Sequence, residues 1–516
     1  MTSHDAIGTE RPPGPGRRRA ARAAALLARP GVFGAAAGAA TTLLMAARIF
    51  LPGAVGMADN GDGPRRMCAL GTVAQVDPGS APWWAFVNFG YVRAEPGMCD
   101  PAATYRSSGN LLLRLARPLG HWLGLPGELD LRALAVLFCL LAGLALGVFA
   151  AALRGGLAAR SLVCLALFAV VGDSIFAGYA ASPYSETAGL LGILAATAGA
   201  AHLGGSARAR LGGLLVLTAG AVLAVASKTQ SVSMVLPFAV LLLLSPVPVG
   251  RAAGRLAGRA LPLLAAALIA VTGVVTLQWQ TEPFKVINPT EVVFVGLLGN
   301  SPDPAASAVE LGLPEDFAQY AGRSWWTPEP PQSDPRWPEV RDRMTYGTIA
   351  GFLLRNPGIA ADIAVGAVED FDAARPTYLG SYPVDAGEQP GAQESRLAVF
   401  GALLRFLGGG TVLLIVLALG TVAACRLRAL RHQPRRRALV AALLCLAGLA
   451  GVQFLTAAYG EAIEGVKHQV FSIYAAGIAL VMTAAAALCA PSPDAFGGGA
   501  LPPPRQEPAR VPESVG

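Results

Sequence analysis

The sequence predicts an all-α polytopic membrane protein with about ten transmembrane helices and two large extracytoplasmic loops. Only 14% of its 516 residues are charged and 53% are hydrophobic, whereas a soluble globular chain carries about 25% charged residues. Apolar stretches of about 20 residues recur along the chain, which is the length that crosses a hydrocarbon core of about 30 Å. Such stretches cross a membrane as helices because a helix satisfies its own backbone polar groups.

Ten apolar segments are predicted to form the membrane helices. They cover about 32–52, 132–153, 161–181, 184–203, 211–226, 229–245, 261–279, 406–424, 438–457 and 468–489. The first segment follows a basic start, as the apolar part of a signal peptide does. It ends in Arg48-Ile49-Phe50-Leu51-Pro52 without a small-residue cleavage site, so we expect an uncleaved anchor.

The distribution of arginine predicts the orientation of the chain. Four short connections on the side of the N-terminus contain arginine and neither Asp nor Glu: Arg154 to Arg160, Arg208 to Arg210, Arg251 to Arg259, and Arg426 to Arg437. Because Lys and Arg concentrate in cytoplasmic loops, both termini are expected in the cytoplasm. The basic residues 1–30 and the Pro-rich residues 491–516 are expected to be disordered cytoplasmic tails.

The remaining chain divides into three parts. Residues 31–279 form a transmembrane module that includes the first external loop, 53–131, and most of the candidate catalytic residues. Residues 280–405 form an external cap, since a loop of that length is rarely structureless in a compact protein. Residues 406–490 form the C-terminal transmembrane helices. Within the first loop, Leu111 to Leu125 has the apolar spacing of an amphipathic helix at the membrane interface.

Charge, cysteine content and motifs exclude several functions. The net charge of +7 does not indicate nucleic-acid binding, because the arginines gather on one side of the membrane. The chain has no Walker-type loop, no dinucleotide-binding glycine pattern and no His/Cys ligand cluster. Cys68 and Cys99 both lie in the first external loop, where a disulfide can form in an oxidising exterior. Sequence alone does not show whether these two cysteines approach each other.

Two carboxylates follow the first apolar segment in the run Ala58-Asp59-Asn60-Gly61-Asp62-Gly63. The simplest interpretation is a solvated turn, because Asn and Gly favour turns. An acid just outside a span can also accept the proton of an attacking hydroxyl group. Two carboxylates at this spacing can instead share a divalent cation such as Mg²⁺ or Mn²⁺. Asp59 and Asp62 are therefore candidate catalytic residues.

Two further acids lie close to the outer ends of predicted spans. Asp173 falls inside the third span, where an ionisable side chain is costly and marks a functional site by default. The alternatives are that the span ends before Asp173, or that the carboxylate is hydrogen-bonded to Ser174 and Tyr179. Glu186 follows Tyr184 in the outer hairpin Ser182-Pro183-Tyr184-Ser185-Glu186, where it either faces a substrate or stabilises the start of a helix. Asp173, Tyr184 and Glu186 are candidate substrate-binding residues.

Cationic side chains come to the same predicted face. Lys228, with Gln230 close to it, lies in the outer hairpin between the fifth and sixth spans, and suits contact with a phosphate or snorkelling at the interface. Lys467 and His468 lie near Glu464 between the last two spans. They could contact substrate, or form a local ion pair of little energetic value.

These features together resemble the GT-C class of integral-membrane glycosyltransferases. The closer resemblance is to bacterial glycan-biosynthesis hexose transferases of the WsfD-like type. It rests on the order of several short stretches between positions 58 and 468: Ala58 to Asp62, Ser182 to Glu186, Lys228 with Gln230, Asn288 to Phe294, Leu311 to Pro314, and Lys467-His468. In that pattern an aromatic residue follows the second Asp, whereas this chain has Gly63.

The resemblance implies an inverting hexosyltransferase that uses a polyprenyl-phosphate-linked sugar at the outer face of the cell membrane. Asp59, or Asp62 as second choice, would activate a hydroxyl of a cell-surface glycan or a lipid-linked acceptor. The donor phosphate would bind a set of cations: Lys228, Lys467, His468, Arg65 and Arg66. Trp325, Trp326 and Trp337 of the cap would stack on sugar rings. A divalent cation is optional in this scheme, since the cations can neutralise the leaving phosphate.

Two other functions compete with this interpretation. A transporter or a lipid-linked-glycan flippase would also use Asp173 and polar helix ends. However, such proteins often contain inverted repeats, whereas we find no internal repeat here and the acids gather at one side. A non-catalytic scaffold of cell-envelope assembly would tolerate loss of Asp59 and Lys228. A ligase that moves a whole glycan is a variant of the enzyme hypothesis that the sequence does not separate from single-sugar transfer.

Overall fold

The computed structural model describes residues 25–75, 84–100, 104–247 and 257–489. The expected tails lie mostly outside these ranges, as do Arg251 and Arg255 of the third arginine-rich connection. Residues 25–28 form a helical turn immediately before the first long helix.

All ten predicted apolar segments are helical. Numbered in chain order among the α-helices given in this section, they are α1 (Pro30–Phe50), α4 (Leu131–Ala152), α5 (Leu157–Val171) with α6 (Ser174–Ala177), α7 (Glu186–Ala201), α8 (Ala207–Val225), α9 (Val235–Leu244), α10 (Ala257–Gln278), α17 (Gly409–Arg426), α18 (Pro434–Gly460) and α20 (Val470–Leu488). The short helix α19 (Gly465–His468) directly precedes α20. Within the described residues seven helices are long and apolar enough to cross a membrane, or eight if α5 and its 50° bent continuation through Ala181 are one span. The all-α polytopic class is thereby confirmed.

Two of the ten helical segments, Glu186–Ala201 and Thr229–Leu244, are shorter than the predicted spans. The 16 residues of α7 extend about 24 Å, less than the hydrocarbon thickness of about 30 Å. Each short segment begins after a buried polar position, Ser182 before the first and Ser227 before the second. These polar hairpins are therefore set back into the bundle, which leaves room for a cavity beside them.

Glycines allow neighbouring helices of the bundle to pack closely. A Cβ on Gly34 of α1 would lie 2.6 Å from the backbone oxygen of Gly147 in α4. A Cβ on Gly192 of α7 would lie equally close, 2.6 Å, to the backbone oxygen of Gly220 in α8. Small residues at such contacts are typical of helix packing in membranes. Here they bring α1 close to α4 and α7 close to α8.

The first long connection, residues 51–130, is a small mixed unit. It contains α2 (Asp62–Cys68), α3 (Ser108–Trp122) and an antiparallel sheet in the order β1 (Thr72–Ala74), β2 (Gly90–Arg93), β3 (Leu129–Asp130). A disulfide joins Cys68 to Cys99, with their Cα atoms 5.3 Å apart. It ties the end of α2 to the segment that follows β2.

The predicted amphipathic helix of the first loop is α3. Its residues Leu112 and Leu113 are buried, whereas Leu111, Leu115 and Trp122 are exposed. The exposed apolar side chains have the arrangement expected of a helix at a membrane interface.

The second long connection, residues 279–408, has its own apolar core. Its helices are α11 (Glu282–Glu291), which continues as the π-helix Val292–Leu298, α12 (Pro304–Glu310), α13 (Trp337–Val340), α14 (Tyr346–Arg355), α15 (Pro357–Ala373) and α16 (Val399–Leu407), with 3₁₀ turns at Glu315–Tyr320, Pro331–Ser333, Arg341–Arg343 and Val384–Ala386. Phe294, Phe317 and Phe352 are fully buried within this core. The connection is therefore a folded cap rather than a flexible loop.

The two long connections lie on the same side of the bundle. The backbone N–H groups of Gly56 and Ala58 donate to the carbonyl oxygens of Ser381 and Gly380, at 3.0 and 2.9 Å. We call this side the loop face. We call the opposite side, which holds Arg154 and Arg426, the arginine face. There the backbone N–H of Arg154 donates to the carbonyl oxygen of Cys489 at 3.1 Å.

Candidate functional site

A cavity of about 490 Å³ lies at the loop face. It is lined by α2 with the turn before it, the hairpin after α8, α11 of the cap and the segment between α18 and α20, together with single residues from the segments before α3 and α7 and from a loop of the cap. The lining residues are Asn60, Gly61, Asp62, Arg65, Arg66, Tyr105, Ser185, Lys228, Thr229, Gln280, Phe284, Ile287, Asn288, Glu291, Trp326, Glu461, Ile463, Glu464 and His468. Several residues singled out in the sequence therefore meet at one site.

The two candidate catalytic carboxylates occupy different places. Asp59 Oδ1 accepts the N–H groups of Gly61 and Gly63, both at 2.9 Å, so this carboxylate stabilises the turn into α2. Burial raises the pKa of Asp59 above its ordinary value. Asp62 is the first residue of α2 and lines the cavity, with 38% of its side chain exposed. Of the pair, Asp62 is the carboxylate in contact with the cavity.

Lys467 lies directly behind Asp62. Its side chain is fully buried, and its Nζ lies 2.5 Å from Asp62 Oδ2 and 3.4 Å from Glu464 Oε2. Nζ is also 4.6 Å from the centre of the Tyr184 ring. Burial opposes the charge of Asp62, but the ammonium groups of Lys467 and Lys228 outweigh it and hold the pKa of Asp62 below its usual value. Lys467, which was predicted to bind phosphate, instead positions a carboxylate.

Lys228, His468 and Glu461 form a second charged group. The Nδ1 of His468 lies 2.7 Å from Lys228 Nζ, and its Nε2 contacts the carboxylate of Glu461. Because an ammonium group can only donate, Nδ1 is the acceptor and Nε2 carries the ring proton. Burial opposes the charge on Lys228, but Glu461 and Glu186 outweigh it and raise the pKa of Lys228.

Glu186 and Gln230 support this group from behind. Glu186 is buried and lies 3.5 Å from Lys228 Nζ, and the side-chain amide of Gln230 donates to the backbone oxygen of His468 at 2.7 Å. Tyr184 is likewise buried, and its hydroxyl donates to Ala58 O at 2.7 Å. Tyr184, Glu186 and Gln230, predicted to bind substrate, do not line the cavity and hold its charged residues in place.

Arg65 and Arg66 both reach the cavity but differ in environment. The guanidinium of Arg65 stacks over Phe284 at 4.8 Å and over Trp326 at 5.7 Å, and lies 3.6 Å from Asp62. Arg66 is buried and donates to the backbone oxygen of Pro183. Burial lowers the pKa of Arg66 to about 10. Arg65 is therefore the more accessible of the two cations.

The cap contributes the opposite wall. Trp326 is 57% exposed and lines the cavity. Trp325 is packed edge-to-face against the buried Trp337 at 5.8 Å and does not line the cavity. Of the three tryptophans predicted to stack on sugars, Trp326 alone is placed at the site.

Asp173 lies elsewhere. Its Oδ2 accepts the backbone N–H groups of Phe400 and Gly401 at 2.8 and 3.1 Å, and its Oδ1 accepts that of Ile175. The carboxylate thus caps the starts of α6 and α16 and is fully buried. The substrate-binding role predicted for Asp173 does not fit this position, because both oxygens are occupied by backbone groups.

Metal binding was an open alternative for Asp59 and Asp62. In the described ranges no group of three or more His, Cys, Asp or Glu side chains is arranged to hold a metal ion. The two carboxylates instead have separate partners, two backbone N–H groups for one and Lys467 for the other.

Sequence reasoning did not identify several residues of the cavity. Tyr105, Phe284, Asn288 and Glu291 line it but come from loop and cap segments without a distinctive local pattern. Glu291 was noted only as part of the stretch from Asn288 to Phe294. The polar residues Asn288 to Glu291 directly precede the apolar run Val292 to Leu298. This abrupt change in polarity is a signal that could have indicated a functional position for Glu291.

A family model described as the YfdI N-terminal transmembrane domain matches residues 27–489. This range contains the whole helical bundle and all the residues that line the cavity. No curated protein and no solved structure matches the chain.

Proposed function

The chain belongs to the YfdI N-terminal transmembrane domain family, and on that premise we propose that it is a membrane glycosyltransferase. It moves a hexose from a polyprenyl-phosphate-linked donor to a cell-surface glycan or a lipid-linked acceptor. The family is one of glycosyltransferase-like membrane proteins. The observation that carries the proposal is the meeting of Asp62, a carboxylate with 38% of its side chain exposed, with the cations Arg65 and Lys228 in a single cavity.

The reaction assigned to the cavity is a displacement at the anomeric carbon of the donor sugar. An acceptor hydroxyl oxygen forms the new bond to that carbon, and the bond from the carbon to the phosphate oxygen breaks. Polyprenyl phosphate leaves with the bonding electron pair. Asp62 accepts the hydroxyl proton as general base. Its pairing with Lys467 keeps it ionised, and Asp59 fixes the turn that presents it.

The leaving phosphate needs positive charge around it, because negative charge develops there in the transition state. Lys228 and Arg65 are the suitable groups, with 13% and 28% of their side chains exposed. Neither has a tight carboxylate partner, since their nearest ion pairs measure 3.5 and 3.6 Å. A phosphate can therefore replace these weak contacts, whereas the 2.5 Å pair of Lys467 stays intact.

The loop face is extracytoplasmic in this proposal. The described residues of the arginine-rich connections lie at the opposite end of the bundle, as expected for cytoplasmic loops. The recessed hairpins before α7 and α9 contribute Ser185, Lys228 and Thr229 to the cavity, which suits it to the phosphate of a lipid held in the membrane. The cap, with Trp326 exposed on its wall, is on the side from which a glycan acceptor would approach.

The test is transfer in vitro. Purified protein would be given a panel of radiolabelled polyprenyl-phosphate hexoses with cell-envelope acceptor. Wild type should transfer one of them, and Lys228→Ala should raise the KM for that donor by about tenfold or more, the loss of one charge-assisted contact. Lys285→Ala is the matched control, because Lys285 pairs with Glu282 at the surface. Equal donor KM values in the two variants would remove Lys228 from the proposed phosphate site. Movement of intact lipid-linked sugar without transfer would favour a flippase.

A further inference from the structure

Two residues that line the cavity each carry a buried oxygen atom that lacks a hydrogen-bond donor. In the described part of the chain, Glu291 Oε2 and Asn60 Oδ1 are both buried without a partner, and both residues line the cavity. Asn60 belongs to the turn before α2, and Glu291 to the last turn of α11 in the cap. A buried acceptor without a partner costs roughly 1–3 kcal/mol, so such atoms indicate where a ligand supplies the missing donor.

The orientation of both groups is fixed by their other atoms. Glu291 Oε1 accepts the backbone N–H of Trp325 at 2.9 Å and the hydroxyl of Ser324 at 3.1 Å. The amide nitrogen of Asn60 donates to Glu464 at 2.5 Å, which leaves its oxygen as the unpaired atom. Oε2 and Oδ1 are therefore acceptors held in place, and a ligand that satisfies both must carry several donors.

Glu291 differs from the other acids that line the cavity. Asp62 and Glu464 each pair with Lys467, and Glu461 pairs with His468. Among the described residues Glu291 takes part in no ion pair. Burial raises its pKa, in keeping with a carboxyl group that has no cation beside it. It is thus not part of the charged network that serves the reaction.

Aromatic side chains lie on the same wall. Trp326 follows directly after the residue whose N–H bonds to Glu291, and Phe284 lies two turns earlier in α11; both line the cavity. An exposed indole close in the chain to a fixed carboxylate oxygen, with the amide oxygen of Asn60 on another wall of the same cavity, is suited to a pyranose ring, which has an apolar face and hydroxyl donors at its edge. In addition, α11 changes to a π-helix directly after Glu291, a feature often found at functional sites.

We propose that Glu291 and Asn60 bind the hydroxyl groups of a hexopyranose whose ring stacks on Trp326. This sugar subsite rests on the proposed glycosyltransferase function and specifies how the cavity selects its substrate. The hexose can belong to the donor or to the acceptor, since both carry the same hydroxyl chemistry. Glu291 is a specificity residue in this account, whereas Asp62 remains the base.

The test measures sugar binding separately from transfer. Saturation-transfer difference NMR on the protein in nanodiscs would use methyl glucoside, galactoside and mannoside as probes. At least one should bind to wild type. Glu291→Gln should weaken its binding by about tenfold, because Gln must keep its oxygen on the N–H of Trp325 and so turns an NH₂ group toward the sugar. Trp326→Ala should weaken it as well.

Two control variants separate binding from a positioning role. Glu282→Gln makes the same change at the exposed start of α11 and should have no effect. Gln332→Ala removes the hydrogen bond of 2.8 Å from the Gln332 amide to Trp325 O and leaves Glu291 unchanged, so it should also bind like wild type. If Glu291 only positioned the Trp325 loop, Glu291→Gln would bind like wild type and Gln332→Ala would not, which would overturn the proposal.

The remaining outcomes are also decisive. Failure of all three hexosides to bind to wild type would overturn the subsite, whereas wild-type transfer with lipid-linked donors tests the glycosyltransferase proposal independently. If transfer occurs and Glu291→Gln raises the KM for the donor alone, the bound hexose is the donor sugar. A rise in the KM for the acceptor alone identifies the acceptor sugar. Unchanged KM values for both would contradict the inference.

Discussion

Lys467 Nζ lies 2.5 Å from Asp62 Oδ2, although the two residues are separated by most of the chain. Lys467 is fully buried, so this contact joins the last helical hairpin to the turn after α1. It holds the one carboxylate of the Asp59–Asp62 pair that lines the cavity in an ionised and oriented state.

Lys467→Met should destabilise the protein. The substitution leaves Asp62 and Glu464 without their common cation, and we expect it to lower the free energy of unfolding by about 2 kcal/mol. Breaking a fully buried ion pair costs roughly 3–5 kcal/mol. The expected loss is smaller here because 38% of the Asp62 side chain is exposed. The Lys467→Met/Asp62→Asn double variant should recover part of that loss, since it removes one of the unpaired charges. Thermal unfolding in detergent measures both effects. Strictly additive losses would show that the pair is not coupled.

Gly63→Ala should impair transfer. A Cβ at Gly63 would lie 2.0 Å from Asp59 Oδ2 and 2.7 Å from its Cγ, so Asp59 would have to turn away and lose its two backbone contacts. Asp62 would then be misplaced, and we expect at least about a tenfold loss of kcat. Gly358→Ala is the control, because nothing lies within 4 Å of its added Cβ.

Acid should weaken the contact between Glu461 and His468. Burial opposes the charge of Glu461, but His468 and Lys228 outweigh it and lower its pKa from 4.5 to about 2. Because its pKa is lowered on folding, ionised Glu461 contributes up to about 3 kcal/mol to the free energy of unfolding. This contribution is complete above about pH 4.5 and is lost as the pH falls toward 2. The melting temperature of Glu461→Gln should therefore fall less than that of wild type on acidification. Parallel curves for the two proteins would contradict this role.

The disulfide between Cys68 and Cys99 tests the orientation of the loop face. If this face is extracytoplasmic, both thiols should resist alkylation in native membranes until a reductant is added. The bond closes a loop with a sequence separation of 31 residues, so the Cys68→Ser/Cys99→Ser variant should lose about 3 kcal/mol. Cys425, an exposed cysteine at the arginine face, is the internal control for reagent access. Ready alkylation of Cys68 without reductant would place the loop face in the cytoplasm.

The sequence was sufficient to predict the fold class and much of the site. Uncharged runs predicted all ten helical segments. The polar hairpins at Asp62, Lys228 and His468 were expected on one face, and they meet at one cavity. The lengths of α7 and α9 were not predicted, because hydropathy continues past the recessed hairpins and does not show where a helix begins.

The functions of individual polar residues were harder to predict. Asp173 was expected at a substrate site because an acid within a span is costly, but it caps α16, which lies more than 200 residues further along the chain. Trp325 and Trp326 are adjacent in sequence, yet Trp325 is half-buried against the core of the cap and Trp326 is exposed. Such differences depend on tertiary contacts of the cap, whose segments have no strong periodicity.

The most direct test of the account compares Asp62→Asn with Asp59→Asn in single-turnover transfer from the polyprenyl-phosphate hexose that wild type uses. We predict that Asp62→Asn lowers the rate by about 10²–10⁴-fold, the usual contribution of a general base. Asp59→Asn should retain most of the rate, because its amide oxygen can still accept the N–H groups of Gly61 and Gly63. Wild-type rates in a folded Asp62→Asn variant, or a collapse confined to Asp59→Asn, would contradict the assignment of Asp62 as the base.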